Sequence, residues 1–291
     1  MSVWPDRPRA LISYAYLQGH PSLDRYRSFD LVLDSGAFTA WSLGISIDMR
    51  RYADFIKREA ENITHAVALD VIGDWKASAR NYDRLRDLLD GAVEMLPIWH
   101  LGSPLSEMTR LCREYEYVAI GGAVPHAKTP KRLMQHLLPA HKIARDAGVR
   151  LHGLGITGRT AMHRLPWTSV DSSSWVSAHR FGALKLRDET GELIDLPFGK
   201  PLSLHQRRVV RAYGGDAARI QSDDFCLIGK AGKEVGGKDR AWAGKAAAKS
   251  VMLDERAHRL KHAGEFKVHL VTNDNVYSDW IEEAWREGSP W

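Results

Sequence analysis

The chain has 291 residues, 44% of them hydrophobic and 26% charged, with a net charge of +5. That is enough apolar material for a sizeable core, and a closed α/β barrel commonly uses about 250 residues in one domain. No apolar stretch approaches the roughly 18 residues of a membrane span. The two cysteines, Cys112 and Cys226, lie far apart and exclude a disulfide framework or a zinc site of paired cysteines. The opening residues MSVWPDRPRA precede no long apolar run, so no leader and a cytoplasmic location are expected.

Short apolar runs alternate with helical patterns through the first 185 residues. Strands are predicted at Ala10–Leu17, Asp30–Ser35, Ala66–Val71, Val93–His100, Tyr117–Ala123, Val149–Gly155 and Ser169–Ser173, with an eighth at Phe181–Leu186. Helices are predicted between them at Asp48–Asn62, Lys76–Asp90, Pro104–Glu114 and Pro130–Ala147. Strands this apolar fit a parallel sheet buried on both faces. The repeated βα units predict an α/β fold, a TIM-type (β/α)8 barrel, with an open doubly wound sheet as the alternative.

Beyond these units, ALKLRDETGELIDLP reads as a β-hairpin turning near Glu189-Thr190-Gly191. Ser203–Tyr213 reads as a short basic helix stopped by Gly214-Gly215, a further helix is expected near Trp242, and Glu265–Thr272 reads as a late strand. Trp280, Trp285 and Trp291 read as packing residues. The Gly- and Lys-rich stretch containing GKAGK lacks the strand–GxxxxGK[ST]–helix setting of a phosphate loop. From Lys200 to Lys261 there are 14 Lys/Arg against 7 Asp/Glu, which fits either a solvated basic surface or, the favoured reading, a phosphate-backbone track. The expected division is a barrel core over 1–200 and a basic extension over 201–291 that packs on the barrel and contacts nucleic acid.

The strand ends read LVLDSGAF, VALDVIG, MLPIWHLG, VAIGGAV, LHGLGITG and SVDSSSW. Polar and glycine-rich residues at the C-terminal ends of apolar strands mark the face on which barrel enzymes build their sites. Asp34, Asp70 and Asp171 therefore converge on one candidate site, although each alone could cap a turn. Small Ser35 and Gly36 leave room above Asp34 for a flat ligand on which Phe38 can stack. Gly121 and Gly122 either allow close helix–strand packing or present backbone groups to a ligand. His100 either contacts substrate or caps its strand, and His152, Gly153 and Gly155 border the same region. The 13 histidines include no HExxH or HxH pair, so no metal is expected. Carboxylates of unequal environment can serve as nucleophile and as acid/base at a glycosidic bond.

The order DSGAF, LD, IGGAV, HGLGITG, VDSSSW over residues 10–185 resembles the tRNA-guanine transglycosylase superfamily. The resemblance implies that Asp34 is the acid/base at the base nitrogen, Asp70 reads a guanine-type face, Gly121 and Gly122 meet the base, and Asp171 attacks the sugar C1′. The chain departs from the tRNA enzymes in Ala37 and Thr39 of DSGAFTAW, in the missing glutamate after IGGAV, and in the absence of their cysteine-rich zinc site. Those departures resemble the phage and bacterial DNA-modifying branch, deoxypurine-in-DNA protein A. The resemblance implies exchange of guanine in DNA for a free 7-deazaguanine such as 7-cyano-7-deazaguanine, without cofactor, in host cytoplasm if phage-encoded. Transfer to tRNA, hydrolysis by the same carboxylates, and a non-catalytic nucleic-acid-binding barrel are the alternatives.

Overall fold

The computed structural model describes residues 4–17, 22–123, 129–156, 159–176, 184–223, 225, 237–262, 264–272 and 274–291. Two compact units partition the chain: Arg9–Ser172 with Gly264–Asn273, and Met1–Pro8 with Ser173–Ala263 and Asp274–Trp291. The expected boundary at residue 200 therefore differs from the division found, which follows Ser172 and returns one late segment to the first unit. The strands among the described residues are β1 (Arg9–Ser13), β2 (Asp30–Asp34), β3 (His65–Val67), β4 (Met95–Leu96), β5 (Ile98–His100), β6 (Tyr117–Gly121), β7 (Arg150–Gly153), β8 (Ser169–Ser172), β9 (Leu184–Arg187), β10 (Leu193–Leu196) and β11 (Lys267–Val271).

The first unit is a parallel nine-stranded sheet in the order β4-β3-β2-β1-β11-β8-β7-β6-β5. Its two end strands are consecutive in the chain, with Pro97 alone between them. The Glu94 carbonyl accepts from Ala66 N–H at 2.9 Å on one side, and the Pro97 carbonyl accepts from Ala119 N–H at 2.8 Å on the other. Proline has no N–H to give to a ladder, so the segment breaks at Pro97 while its neighbours keep pairing. The sheet is nearly closed and barrel-like. Leu31, Leu33, Val118, Ile120 and Val170 are buried, as strands covered on both faces require.

The described part of the eighth strand predicted at Phe181–Leu186 is not part of this sheet. Residues 181–183 lie outside the described residues, and Leu184–Arg187 pairs antiparallel with β10 as the expected hairpin. A tight turn favours local antiparallel pairing, whereas a parallel neighbour must be reached by a long connection. The late strand β11 fills the place, with Leu270 opposite Ala10 of β1 and His269 opposite Asp171 of β8.

Helices begin where the sequence supplies caps. Asp48 accepts from the Arg50 and Arg51 N–H groups ahead of Met49–Arg58, and Asp74 accepts from Ala77 N–H ahead of Trp75–Leu89. Leu105–Glu114 and Pro130–Ala147 follow the predicted spans closely, the latter closed by Gly148 in the left-handed conformation. Tyr52, on the helix after Asp48, is fully buried and donates to the Val67 carbonyl at 2.9 Å and the Leu33 carbonyl at 3.3 Å. It thereby ties that helix to the ends of β2 and β3.

In the second unit, Ser203 and Gln206 form a capping box at the start of Leu204–Ala212. Gly244, in the helix Gly237–His262, lies so close to Trp280 that a Cβ there would fall 2.2 Å from the indole. Trp285 donates to the Pro5 carbonyl at 2.8 Å and Trp291 to the Arg187 carbonyl at 3.1 Å, so these three tryptophans pack as expected. Part of the basic excess is internally paired. Arg219 meets Asp239 at 2.7 Å, and Lys245 and Lys249 meet Glu287 at 2.8 and 2.7 Å. The GKAGK stretch and Cys226 lie outside the described residues, and Cys112 is a buried free thiol. No helix among the described residues is long and apolar enough to cross a membrane.

Removing the Tyr52 hydroxyl leaves the ring in place and takes a buried donor from two carbonyls. Tyr52→Phe should cost about 1–2 kcal/mol in urea unfolding; an unchanged midpoint would show that the hydroxyl does not secure the strand ends.

Candidate active site

Because the strands are parallel, their C-terminal ends share one rim. Register places Ser13 beside Asp34, His269 beside Asp171, and His100 beside Gly121. Asp34 is the last residue of β2, and its Oδ2 accepts the Gly36 N–H at 2.9 Å. Gly36 has φ +80°, and a Cβ there would lie 2.4 Å from the Ala15 Cβ and 2.5 Å from the Ser13 Oγ. Only glycine fits both the backbone conformation and the space. Burial pushes the Asp34 carboxyl up, the Gly36 hydrogen bond pulls it down, and the carboxylates of Asp171 and Asp70 push it up again. The Ser13 hydroxyl opposes them, and the balance lies at about 7. Asp171 and Asp70 are thus both near enough to act on the Asp34 carboxyl.

Asp171 is buried on β8. Its Oδ1 accepts the Gly155 N–H at 2.8 Å and stands 3.5 Å from the His152 Nε2. Gly155 reaches that position at φ +66°. Asp70 differs from its expected place at a strand terminus. β3 stays in register with its neighbours only to Val67, so Asp70 sits three residues further on, in the following loop. That loop is held by Asn81, which donates to the Leu69 carbonyl at 3.0 Å, and by Ser78, which accepts the Val71 N–H at 2.9 Å. Asp70 Oδ1 lies 3.3 Å from His100 Nε2, so His100 faces a carboxylate of the candidate site.

The glycines divide by what surrounds them. The Gly121 carbonyl already accepts Leu101 N–H at 3.0 Å, and a Cβ on Gly121 would come within 3.0 Å of Ile98 and 3.6 Å of His100 Nδ1. It permits close packing of β5 against β6. Gly122 follows at φ +79°. Gly153 was expected to border the site, but a Cβ there would meet Ile156 at 2.6 Å and the Trp167 ring at 3.0 Å, so its close packing involves those side chains. His152, also expected at the border, faces Asp171 and Ser169 and is 0% exposed. Ser35 is buried, whereas Phe38 is 47% and Trp41 61% exposed on the short helix Ala37–Leu43, with ring centroids 5.9 Å apart.

Beneath the carboxylates His152 belongs to a buried polar set whose other members are absent from the sequence-based site. Ser169 Oγ contacts His152 Nδ1 and lies 2.5 Å from the Tyr117 hydroxyl. The His269 ring centroid lies 5.9 Å from that of His152. Asp30 is 3.5 Å from His269 Nε2, 3.1 Å from Lys267 Nζ and 3.7 Å from Arg9 Nε. Burial opposes ionisation of Asp30, but His269 and Lys267 outweigh it and hold the carboxyl well below the usual carboxylate range. The available signal was period two: Ser169 lies two residues before Asp171, and Lys267 two before His269, so each pair shares a strand face.

Among the described residues no group of three or more His, Cys, Asp or Glu side chains could hold a metal ion. The arrangement offers two carboxylates in unequal settings, one donor-supported and one desolvated. Comparison with family models, curated proteins and solved structures gives no match to this chain.

The raised Asp34 carboxyl has a consequence for stability. An unfolded aspartate ionises near 3.9, so between about 4 and 7 the folded state holds a proton that the unfolded state has lost. Stability should therefore fall as pH rises through that window. Asp34→Asn removes the ionisation while keeping an acceptor for Gly36, and should be more stable than the parent by about 2–4 kcal/mol at pH 8, with much of the difference gone at pH 4. Urea unfolding at the two pH values checks this; a pH-independent difference would contradict a carboxyl that titrates near neutrality.

Proposed function

We propose that the protein is a DNA-guanine transglycosylase, exchanging guanine in DNA for a 7-deazaguanine such as 7-cyano-7-deazaguanine on a TIM-type (β/α)8 barrel. In that barrel β4 and β5 count as one strand divided at Pro97. The reading is carried by one observation: Asp34 and Asp171 meet at the same strand-end rim, with Asp34 held near 7 and Asp171 oriented by a backbone N–H.

In the first step Asp171 attacks C1′ of the deoxyribose. The Oδ–C1′ bond forms as the C1′–N9 bond breaks, and the bonding pair leaves with the purine. Protonated Asp34 supplies the proton that neutralises the departing base, a role suited to a carboxyl poised near neutral pH. The incoming 7-deazaguanine then gives its N9 proton to the Asp34 carboxylate. Its N9 attacks C1′, the ester bond breaks, and Asp171 is regenerated. Protons and bonds balance over the cycle. Asp70, beside His100, reads the N1–H and exocyclic amine of the base, and exposed Phe38 offers an aromatic face for stacking.

A duplex nucleotide must leave its stack to reach such a rim. Exposed Lys200, Arg211, Lys238 and Arg256 of the second unit are candidates for phosphate contacts. The choice of DNA rests on the resemblance to the DNA-modifying branch.

The test is incorporation of labelled 7-deazaguanine into DNA and into tRNA, with denaturing-gel detection of the covalent adduct. The parent should label DNA and form the adduct, and Asp171→Ala should do neither. Label in tRNA alone would move the substrate to tRNA. Guanine release without label uptake would make the protein a hydrolase, and incorporation by the Asp171 variant would remove the nucleophile assignment.

A further inference from the structure

We propose that His152 is a positioning residue for Asp171, held in one tautomer by Tyr117 and Ser169 so that its Nε2–H steers the carboxylate from below. The inference rests on the transglycosylase reading for what Asp171 does, but its geometry stands without it.

The direction of the chain follows from counting protons. The Tyr117 hydroxyl lies 2.5 Å from Ser169 Oγ and has no other acceptor among the described residues. Burial raises the Tyr117 phenol, so it stays protonated and acts as a donor. Ser169 Oγ accepts that proton and has one of its own to give. Its other neighbour is His152 Nδ1, which must then be the acceptor. A neutral imidazole that accepts at Nδ1 carries its proton on Nε2. That nitrogen is buried and without a formed hydrogen bond, and the carboxylate facing it is Asp171 Oδ1 at 3.5 Å. The distance is long for a formed hydrogen bond, and catalytic contacts of this kind tighten when substrate arrives.

Gly155 N–H also engages Oδ1, whereas Oδ2 receives no hydrogen bond among the described residues. The Gly155 N–H already holds Oδ1, and the Nε2–H contact, once tightened, adds a second donor on the same oxygen and leaves Oδ2 to form the bond to C1′. The surroundings do not offer a competing role to the imidazole. His269 packs beside it, with burial lowering the tendency of that ring to protonate, and the charges of Asp30 and Lys267 are directed to each other. His65 meets Tyr117 edge-on at 5.4 Å. Ser169, His152 and Asp171 are the residue types of a hydrolytic triad. Here the serine is 0% exposed beneath the histidine, so the end of the chain nearest the strand-end rim is the carboxylate.

Two variants separate positioning from packing. His152→Leu fills similar volume with no donor, and His152→Gln places an N–H near the position of Nε2. With DNA and labelled 7-deazaguanine, His152→Leu should lower kcat about 10–100-fold with KM for the free base unchanged, the size of effect seen when a side chain that orients a metal-binding ligand is removed. His152→Gln should recover most of that loss, and Tyr117→Phe should lower kcat in the same direction. Wild-type kcat in His152→Leu would overturn the inference, as would equal losses of kcat and KM in both variants. Crystal structures of the parent and both variants give a readout that needs no activity. Asp171 Oδ1 should keep the Gly155 N–H in the parent and in His152→Gln, and rotate away in His152→Leu. An unmoved carboxylate in His152→Leu overturns the positioning role. A parent that forms no adduct with any nucleic acid instead overturns the transglycosylase reading and leaves the carboxylate geometry to decide the inference.

Discussion

The first unit depends on the parallel insertion of β11 between β1 and β8. Without it, β1 and β8 would each present a row of unpaired backbone N–H and C=O groups. With it, Leu270 pairs with Ala10 on one side and with Ser172 on the other. The sheet then runs without a gap from β3 and β2 through β1 to β8 and β7, and both Asp34 and Asp171 stand at its C-terminal rim. β11 also carries His269, which lies opposite Asp171 in register and packs beside His152. The strand that completes the sheet is thus also part of the support under the candidate nucleophile.

Around that rim the same side chain is put to different uses by its surroundings. Asp171 receives the Gly155 N–H and faces the His152 imidazole, so its carboxylate is oriented from below. Asp34 receives the Gly36 N–H but is desolvated and lies near two other carboxylates, which favours retention of a proton. Both backbone donors come from glycines in the left-handed conformation, where a side chain would be strained and, at Gly36, would overlap Ala15 and Ser13. Backbone geometry and carboxylate ionisation are therefore coupled at these two positions.

The second unit shows a different economy. Small residues let large rings approach: Gly244 accommodates Trp280, and Gly215 the Trp242 ring. Its cations are partly engaged by Asp239 and Glu287, so the density of Lys and Arg in that stretch overstates the charge available to an outside phosphate. The remaining exposed cations, not the whole count, are the relevant quantity for a nucleic-acid partner.

The sequence by itself determined the local features. Apolar runs ending in LVLD and SVDS placed Asp34 and Asp171, Asp48 and Asp74 marked helix starts, and ALKLRDETGELIDLP specified its own hairpin. These are short-range effects of side-chain periodicity, capping and turn chemistry. The tertiary structure decided which strand is the neighbour of β1 and β8, a place that β11 takes and the Phe181–Leu186 run does not. It moved Asp70 into a loop beside His100, turned Gly153 to packing, and buried His152 fully beside Asp171. Strand pairing joins residues far apart in the chain, and burial is set by what a distant segment covers. Neither is written in the spacing of neighbouring residues, and for that reason the polar support beneath the site became visible only once the sheet was nearly closed.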